Sequence, residues 1–234
     1  MKYQAILFDL DGTLLPMDND AFTKGYFKLL AKAASVHGYT FETLIPAMWK
    51  GVTAMVRNDR SKLNRDAFWD VFAGIFGEEA YTHIPTFDAF YGNEFYKAKD
   101  FTAPNPLAAE AVKLAHEKAD KVVLATNPLF PEVAIKARLD FIGLKLSDFD
   151  LVTTYDNFGS CKPNPLYYNE IAEKIDVDPK NCLMIGNNAE EDIEASQAAG
   201  LSTYLVTDCL IANGDLPDTP KGSFAEMVEF LKGI

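Results

Sequence analysis

The 234-residue sequence predicts an α/β fold: a doubly wound parallel sheet interrupted once by an all-helical insertion. Three observations predict it. Short continuous apolar runs that stop at polar residues recur along the chain, as strands buried on both faces do. From about residue 103 onward these runs alternate with stretches of helical periodicity, the pattern of successive βαβ units. Between the first run and that alternation lies a long segment with helical patterns and no strand-like run.

Ala5, Ile6, Leu7 and Phe8 form the first run, which ends at Asp9. The segment from residue 16 to 102 then places Phe22, Tyr26, Phe27, Leu29 and Leu30, next Leu44, Met48 and Met55, and last Phe68, Val71, Phe72 and Ile75 at helical spacings. Several helices in succession are expected there. The division is a sheet-bearing core of residues 1–15 and 103–234 and a helical domain of residues 16–102. After Pro106, a favourable first-turn proline, Leu107, Ala111, Leu114 and Ala115 mark a helix. KVVLA (121–125) is the second strand, and a helix carrying Val133, Ala137 and Phe141 follows Pro131. A weaker run at 150–153 precedes NCLMI (181–185) and STYLV (202–206). Ile193, Ala195 and Ala199 lead to Gly200, a helix-ending residue. The Asp-, Pro- and Gly-rich stretch 208–221 reads as a connecting loop, and Met227, Val228 and Leu231 form one side of a last helix.

Composition narrows the function. Lys and Arg number 22 against 34 Asp and Glu, a net charge of −12. Such a field disfavours non-specific nucleic-acid binding and gives no attraction to anionic membranes. No apolar run approaches the ~18 residues of a membrane span, and the opening stretch is too short and acid-flanked for a signal peptide. Cys161, Cys182 and Cys209 form neither a disulfide framework nor a zinc pattern, and free thiols fit a reducing compartment. His37, His83 and His116 have no metal spacing. A cytoplasmic protein is expected; protein partners are left open.

Ligands bind outside the carboxyl ends of parallel strands, so residues just past each run carry the functional reading. Asp9 and Asp11, with Gly12 and Thr13, follow the first strand. Two carboxylates so close repel each other, which suggests a hard divalent cation with oxygen ligands; an Asp-Gly turn is the plainer alternative. Thr126 and Asn127 follow KVVLA and offer hydrogen-bond donors, although taken alone the pair reads more readily as a loop that caps the next helix. Lys162 sits between a small-residue loop and Pro163, where an ammonium could offset a carboxylate and a phosphate; a solvated lysine is the commoner alternative. Asn187 and Asn188 follow NCLMI, ahead of Glu190, Glu191 and Asp192. Acidic residues at a helix start are accounted for by the helix dipole; the asparagines are not.

Singly ambiguous, in this order the four segments resemble the haloacid dehalogenase-like (HAD) hydrolase superfamily. FDLDGTLL is a specific match to its first motif. Thr126, Lys162 and the 186–192 segment follow in its order, and the helical insertion takes the position of its type 1 cap. The resemblance spans residues 3–15 and about 103–206. It implies a Rossmann-like catalytic core with a cap, and a Mg²⁺-dependent phosphatase of small phosphorylated metabolites. Asp9 resembles the nucleophile that forms an aspartyl-phosphate, and Asp11 the general acid/base. Thr126 and Lys162 resemble the residues that hold the phosphoryl group and offset its charge. Leu10 and Asn127 resemble substrate-binding positions. Mg²⁺ would be held by Asp9, the Asp11 carbonyl, Asn187 and Asp192. Asn187 stands where the family carries Asp, which implies weaker metal binding. A phosphomutase, or a phosphate-binding member without turnover, would use the same fold; a dehalogenase fits less well, because Asp11 is present. Among cap residues, Trp49, Lys50, Arg57 and Arg60 are candidates for substrate contact, with packing the alternative for Trp49 and solvation for Arg57 and Arg60.

Overall fold

The computed structural model describes residues 2–234. Its strands are β1 (Ala5–Phe8), β2 (Lys121–Leu124), β3 (Leu151–Val152), β4 (Cys182–Gly186), β5 (Ser202–Val206) and β6 (Lys221–Gly222). They form one parallel sheet in the order β3-β2-β1-β4-β5-β6. Every residue of β1 and β4 is buried, as continuous apolar strands require when both faces are covered. Ile6 and Phe8 point into one apolar cluster, Ala5 and Leu7 into a second that contains Tyr167, Ile171 and Ala195.

The insertion is helical, as expected. It comprises α1 (Asn19–Ala34), α2 (Phe41–Val56), α3 (Asn64–Phe76) and α4 (Ile84–Gly92), with 3₁₀ turns between α1 and α2 and between α3 and α4. Asp18 caps α1 by accepting from the Asp20 and Ala21 amides, and Thr40 with Thr43 starts α2 as a capping box; each cap contributes about 1 kcal/mol. The insertion is tied to the sheet at two places. At its stem Met17 bridges Thr102, and the Ala103 amide donates to the Pro16 carbonyl at 2.8 Å. At its far side the fully buried Asn64 donates to the carbonyls of Pro128 (3.3 Å) and Ser160 (3.2 Å). The cluster of Ile6 and Phe8 continues without a break into Phe22, Tyr26, Phe90 and Phe95 of the insertion.

The core helices are α5 (Ala108–Lys118), α6 (Glu132–Phe141), α7 (Pro165–Ile175), α8 (Ala195–Ala198) and α9 (Phe224–Gly233), and a π-helical turn (Ala189–Glu194) leads into α8. Among the described residues, no helix is long and apolar enough to cross a membrane. The expected loop at 208–221 needs correction. Its end, Lys221, opens the edge strand β6, and the Ile211 amide donates to the Asn187 carbonyl at 2.9 Å. A two-residue strand beside Pro220 carries no periodicity for a sequence reading to find.

Candidate active site

The sheet reverses its winding at β1, which has β2 on one side and β4 on the other. Loops leaving these strands diverge and open a crevice at their carboxyl ends. Phe8 lies opposite Leu124 and Ile185. The Asp9 amide donates to the Ile185 carbonyl at 2.9 Å, and the Ala125 amide to the Phe8 carbonyl at 2.7 Å. Register alone therefore delivers Asp9, Thr126 and Asn187 to one rim.

Lys162 ties that rim together. Its side chain is fully buried, with Nζ 2.8 Å from Asp9 Oδ1 and 2.6 Å from Asp192 Oδ1. Burial works against the ammonium charge, but the two carboxylates outweigh it and hold the Lys162 pKa well above its ordinary value. The other oxygen of Asp192 accepts the amides of Asn187 (3.0 Å) and Asn188 (2.9 Å). Both Asp192 oxygens are thus engaged, and burial, opposed by Lys162, raises its pKa. Gly186 makes this approach possible, since a Cβ there would lie 2.3 Å from Asp192 Cγ.

Asp11 has a partner that sequence reasoning missed. Arg138, on α6 and almost wholly buried, pairs through Nη1 with Asp11 Oδ2. Its guanidinium lies 4.4 Å from the Phe130 ring centroid, a cation–π contact. Burial raises the Asp11 pKa, Arg138 opposes that, and Asp9 adds to it. Asp11 Oδ1 is buried with no hydrogen-bond partner among the described residues. A signal for Arg138 was present: it sits on the stripe of Ala134, Ala137 and Phe141, where a charge has no reason to be unless paired.

Asn187 is fixed by its neighbours. Nδ2 donates to the Cys209 carbonyl at 2.6 Å, so Oδ1 must face the Thr13 hydroxyl, which donates to it at 2.9 Å. Thr13 also reaches Asp9 Oδ2 at 3.2 Å. Gly12, at φ +89°, leaves the space that Asn187 fills, because a Cβ there would lie 2.3 Å from Asn187 Nδ2. Thr126 is buried in the cavity wall, its carbonyl held by Thr153 (2.5 Å) and Tyr167 (2.9 Å). Asn127 donates to Glu191 Oε2 at 3.2 Å. Glu191 is a second missed residue: the helix-dipole account of the acidic run absorbed it, yet its carboxyl lies in the cavity wall with its pKa raised by burial. The Leu10 side chain is fully buried in the core, so any contribution of Leu10 is through its main chain.

These residues edge a cavity of about 250 Å³ between sheet rim and insertion. Asp9, Asp11, Thr126, Asn127, Asn187 and Asp192 line it, with Lys162 directly behind Asp9. Of the cap candidates only Trp49 lines it, half-exposed and edge-on to Phe27. Lys50 and Arg57 are exposed outside the lining, and Arg60 pairs with Glu173 at 2.6 Å. Charge at those positions follows the solvent face of α2 and its end rather than the cavity.

The donor set suits Mg²⁺. Asp9 Oδ2 and Asn187 Oδ1 meet on the one Thr13 hydroxyl, and carboxylate, amide and main-chain carbonyl are all hard oxygens. It is a weakly charged set: among the described residues, no cluster of three or more His, Cys, Asp or Glu is arranged to hold a metal.

The profile of the family described as "haloacid dehalogenase-like hydrolase" matches residues 3–200. Phosphoglycolate phosphatase of Aquifex aeolicus is 25% identical over 229 residues, covering 97% of this chain and 96% of that one. Pyrophosphatase PpaX of Halalkalibacterium halodurans is 26% identical over 206 residues, covering 88% and 84%. The protein YfnB of Bacillus subtilis, solved bound to magnesium, superposes with a TM-score of 0.61 at 18% identity over 99% of this chain and 100% of its own. At that identity the likeness to YfnB is one of fold.

Proposed function

Because this chain belongs to the haloacid dehalogenase-like hydrolase family, we propose that it hydrolyses small phosphate monoesters through an aspartyl-phosphate on Asp9. The observation that carries the reading is the pairing at the cavity mouth: Asp9 held by Lys162, Asp11 held by Arg138. The two carboxylates have different partners and can take different roles. Lys162 pins Asp9 Oδ1 and leaves Oδ2 on a hydroxyl 3.2 Å away, the less committed oxygen for attack. An Asp9 oxygen forms a bond to phosphorus as the ester P–O bond breaks, and Asp11, its pKa raised by burial, gives the departing oxygen a proton. Asp11 then takes a proton from the water that attacks phosphorus, and phosphate and free Asp9 result. Thr126 and the main-chain amides of Leu10 and Asn127 hold the phosphoryl oxygens. Mg²⁺, when bound by Asp9, the Asp11 carbonyl and Asn187, neutralises charge between phosphate and nucleophile. Asp192, with both oxygens engaged, positions Lys162 and the Asn187–Asn188 main chain.

The core of residues 1–15 and 103–234 carries this chemistry, and the 16–102 cap covers it, in support of which the Pro16–Ala103 and Met17–Thr102 contacts close the insertion's stem. The named relatives are a phosphoglycolate phosphatase and a pyrophosphatase, which supports phosphoryl chemistry for this chain. The test is hydrolysis of an aryl phosphate with Mg²⁺, with and without chelator, alongside Asp9→Asn. Turnover is expected to need the metal and to fall by ~10³-fold or more in the variant, as removal of a nucleophile does. A broad phosphate panel with no metal-dependent turnover, or an active Asp9→Asn, would refute the reading.

A further inference from the structure

We infer that the group released from phosphorus is uncharged and apolar, an aryl or alkyl alcohol of modest size; the inference rests on the phosphatase reading above. The cavity beyond the carboxylates is walled by the insertion and by core loops that carry Leu129, Tyr155 and Ile211. Ten aromatic side chains line it, Phe22, Phe27, Trp49, Phe68 and Tyr155 among them. The lining holds four carboxylates, Asp9, Asp11, Glu191 and Asp192, and no Lys, Arg or His. Two cations that contact lining carboxylates are already committed: Lys162 to Asp9 and Asp192, Arg138 to Asp11.

A second negative charge on the substrate, a carboxylate or a further phosphate, would enter a low-dielectric wall that holds Glu191, which has no ion pair among the described residues, and no uncommitted cation. An unpaired buried charge is strongly disfavoured, and like-charge contacts reject wrong partners. A ring or short chain meets none of these penalties and covers apolar wall. The cavity, about 250 Å³, lies just below the ~300–1,000 Å³ of small-molecule sites, which limits the released group to about one ring. The wall also carries neutral polar groups: Asn19, Thr23, Tyr26 and Tyr91 line it, and Asn127 Oδ1 is buried there without a hydrogen-bond partner among the described residues. Trp69 lines the cavity beside Tyr155, where its indole N–H opposes the burial-driven rise of the Tyr155 pKa.

The test uses two pairs of compounds of matched leaving-group chemistry on the Mg²⁺-loaded protein. Benzyl phosphate and 4-carboxybenzyl phosphate are compared by kcat/KM, and the corresponding phosphonates by calorimetric binding. Benzyl members are expected to be favoured by roughly tenfold or more in both. The phosphonate pair decides. A carboxylated phosphonate that binds as well as the neutral one overturns the inference even if both esters turn over. If neither ester is hydrolysed but the neutral phosphonate binds tenfold better, the phosphatase reading fails and the cavity's preference stands. If neither phosphonate binds, both fail. Val52→Arg adds a cation at a half-buried lining position of α2 and is expected to narrow the gap. An unchanged gap in a folded variant would overturn the assignment of the preference to the missing cation.

Discussion

The sheet rim and the cap wall face each other across one cavity and are built on opposite principles. On the rim, charge is buried and paired: Lys162 between Asp9 and Asp192, Arg138 on Asp11. On the cap side, rings pack on rings, as Phe68, Trp69 and Phe87 do, and no charge faces inward. A buried ion cluster is specified residue by residue, because each member left alone would carry a large desolvation penalty. An aromatic wall is specified by volume and apolarity, which many sequences satisfy. The rim can therefore encode a reaction in a few fixed residues while the wall sets what is attached to the phosphate.

The contrast breaks most sharply at Lys162. Lys162→Met removes the one cation shared by two buried carboxylates and leaves a side chain of similar length. The folded protein is expected to lose about 3–5 kcal/mol, the usual effect of stranding a buried charge, and turnover is expected to vanish into background. Denaturant unfolding and the aryl-phosphate assay read the two effects separately. A stable variant with normal turnover would show that the cluster is neither structural nor catalytic. A cap-wall change of similar size, such as Val52→Ala, should cost no more than about 1–2 kcal/mol at its half-buried position.

A smaller effect sharpens the role of Arg138. Burial raises the Asp11 pKa and Arg138 opposes it, so Arg138→Met should raise it further. Asp11 acts as an acid only while protonated, so the high-pH limb of kcat/KM should move to higher pH. The later step needs the deprotonated form, and its low-pH limb should move the same way. A profile displaced to lower pH, or left in place, would mean that Arg138 does not act through Asp11.

The rim was also the legible part. Asp9, Asp11, Thr126, Lys162 and Asn187 each follow a buried apolar run or an ordered loop, and parallel register carries such positions to one edge. Arg138 was missed although its place on the apolar stripe of α6 was a signal, because the partner that explains it, Asp11, lies far away in the sequence. Glu191 was missed because a helix start favours acids whatever their use. The contact of the 209–211 segment with Asn187 has no local signal, since it depends on a loop folding back over the rim. Among the cap cations, Lys50 and Arg57 are exposed outside the cavity, as the solvated alternative had it for Arg57, and Arg60 is taken up by Glu173.

The least effect is expected at Asn187, where rim chemistry and loop packing compete. Asn187→Asp supplies a second carboxylate beside Asp9 and should tighten Mg²⁺ binding by roughly tenfold, one added charge near a divalent ion in partly screened surroundings. The same change has an opposing consequence. The Asn187 amide nitrogen donates to the Cys209 carbonyl at 2.6 Å, and a carboxylate oxygen there would face another acceptor. The metal-free variant is therefore expected to unfold more easily, by about 1–3 kcal/mol for the lost donor and the repulsion, and to regain stability as Mg²⁺ is added. Titrating Mg²⁺ while following thermal unfolding of both proteins measures both effects at once. Equal Mg²⁺ dependence in the two would remove Asn187 from the metal site and leave it as the residue that fastens the 209–211 segment to the rim.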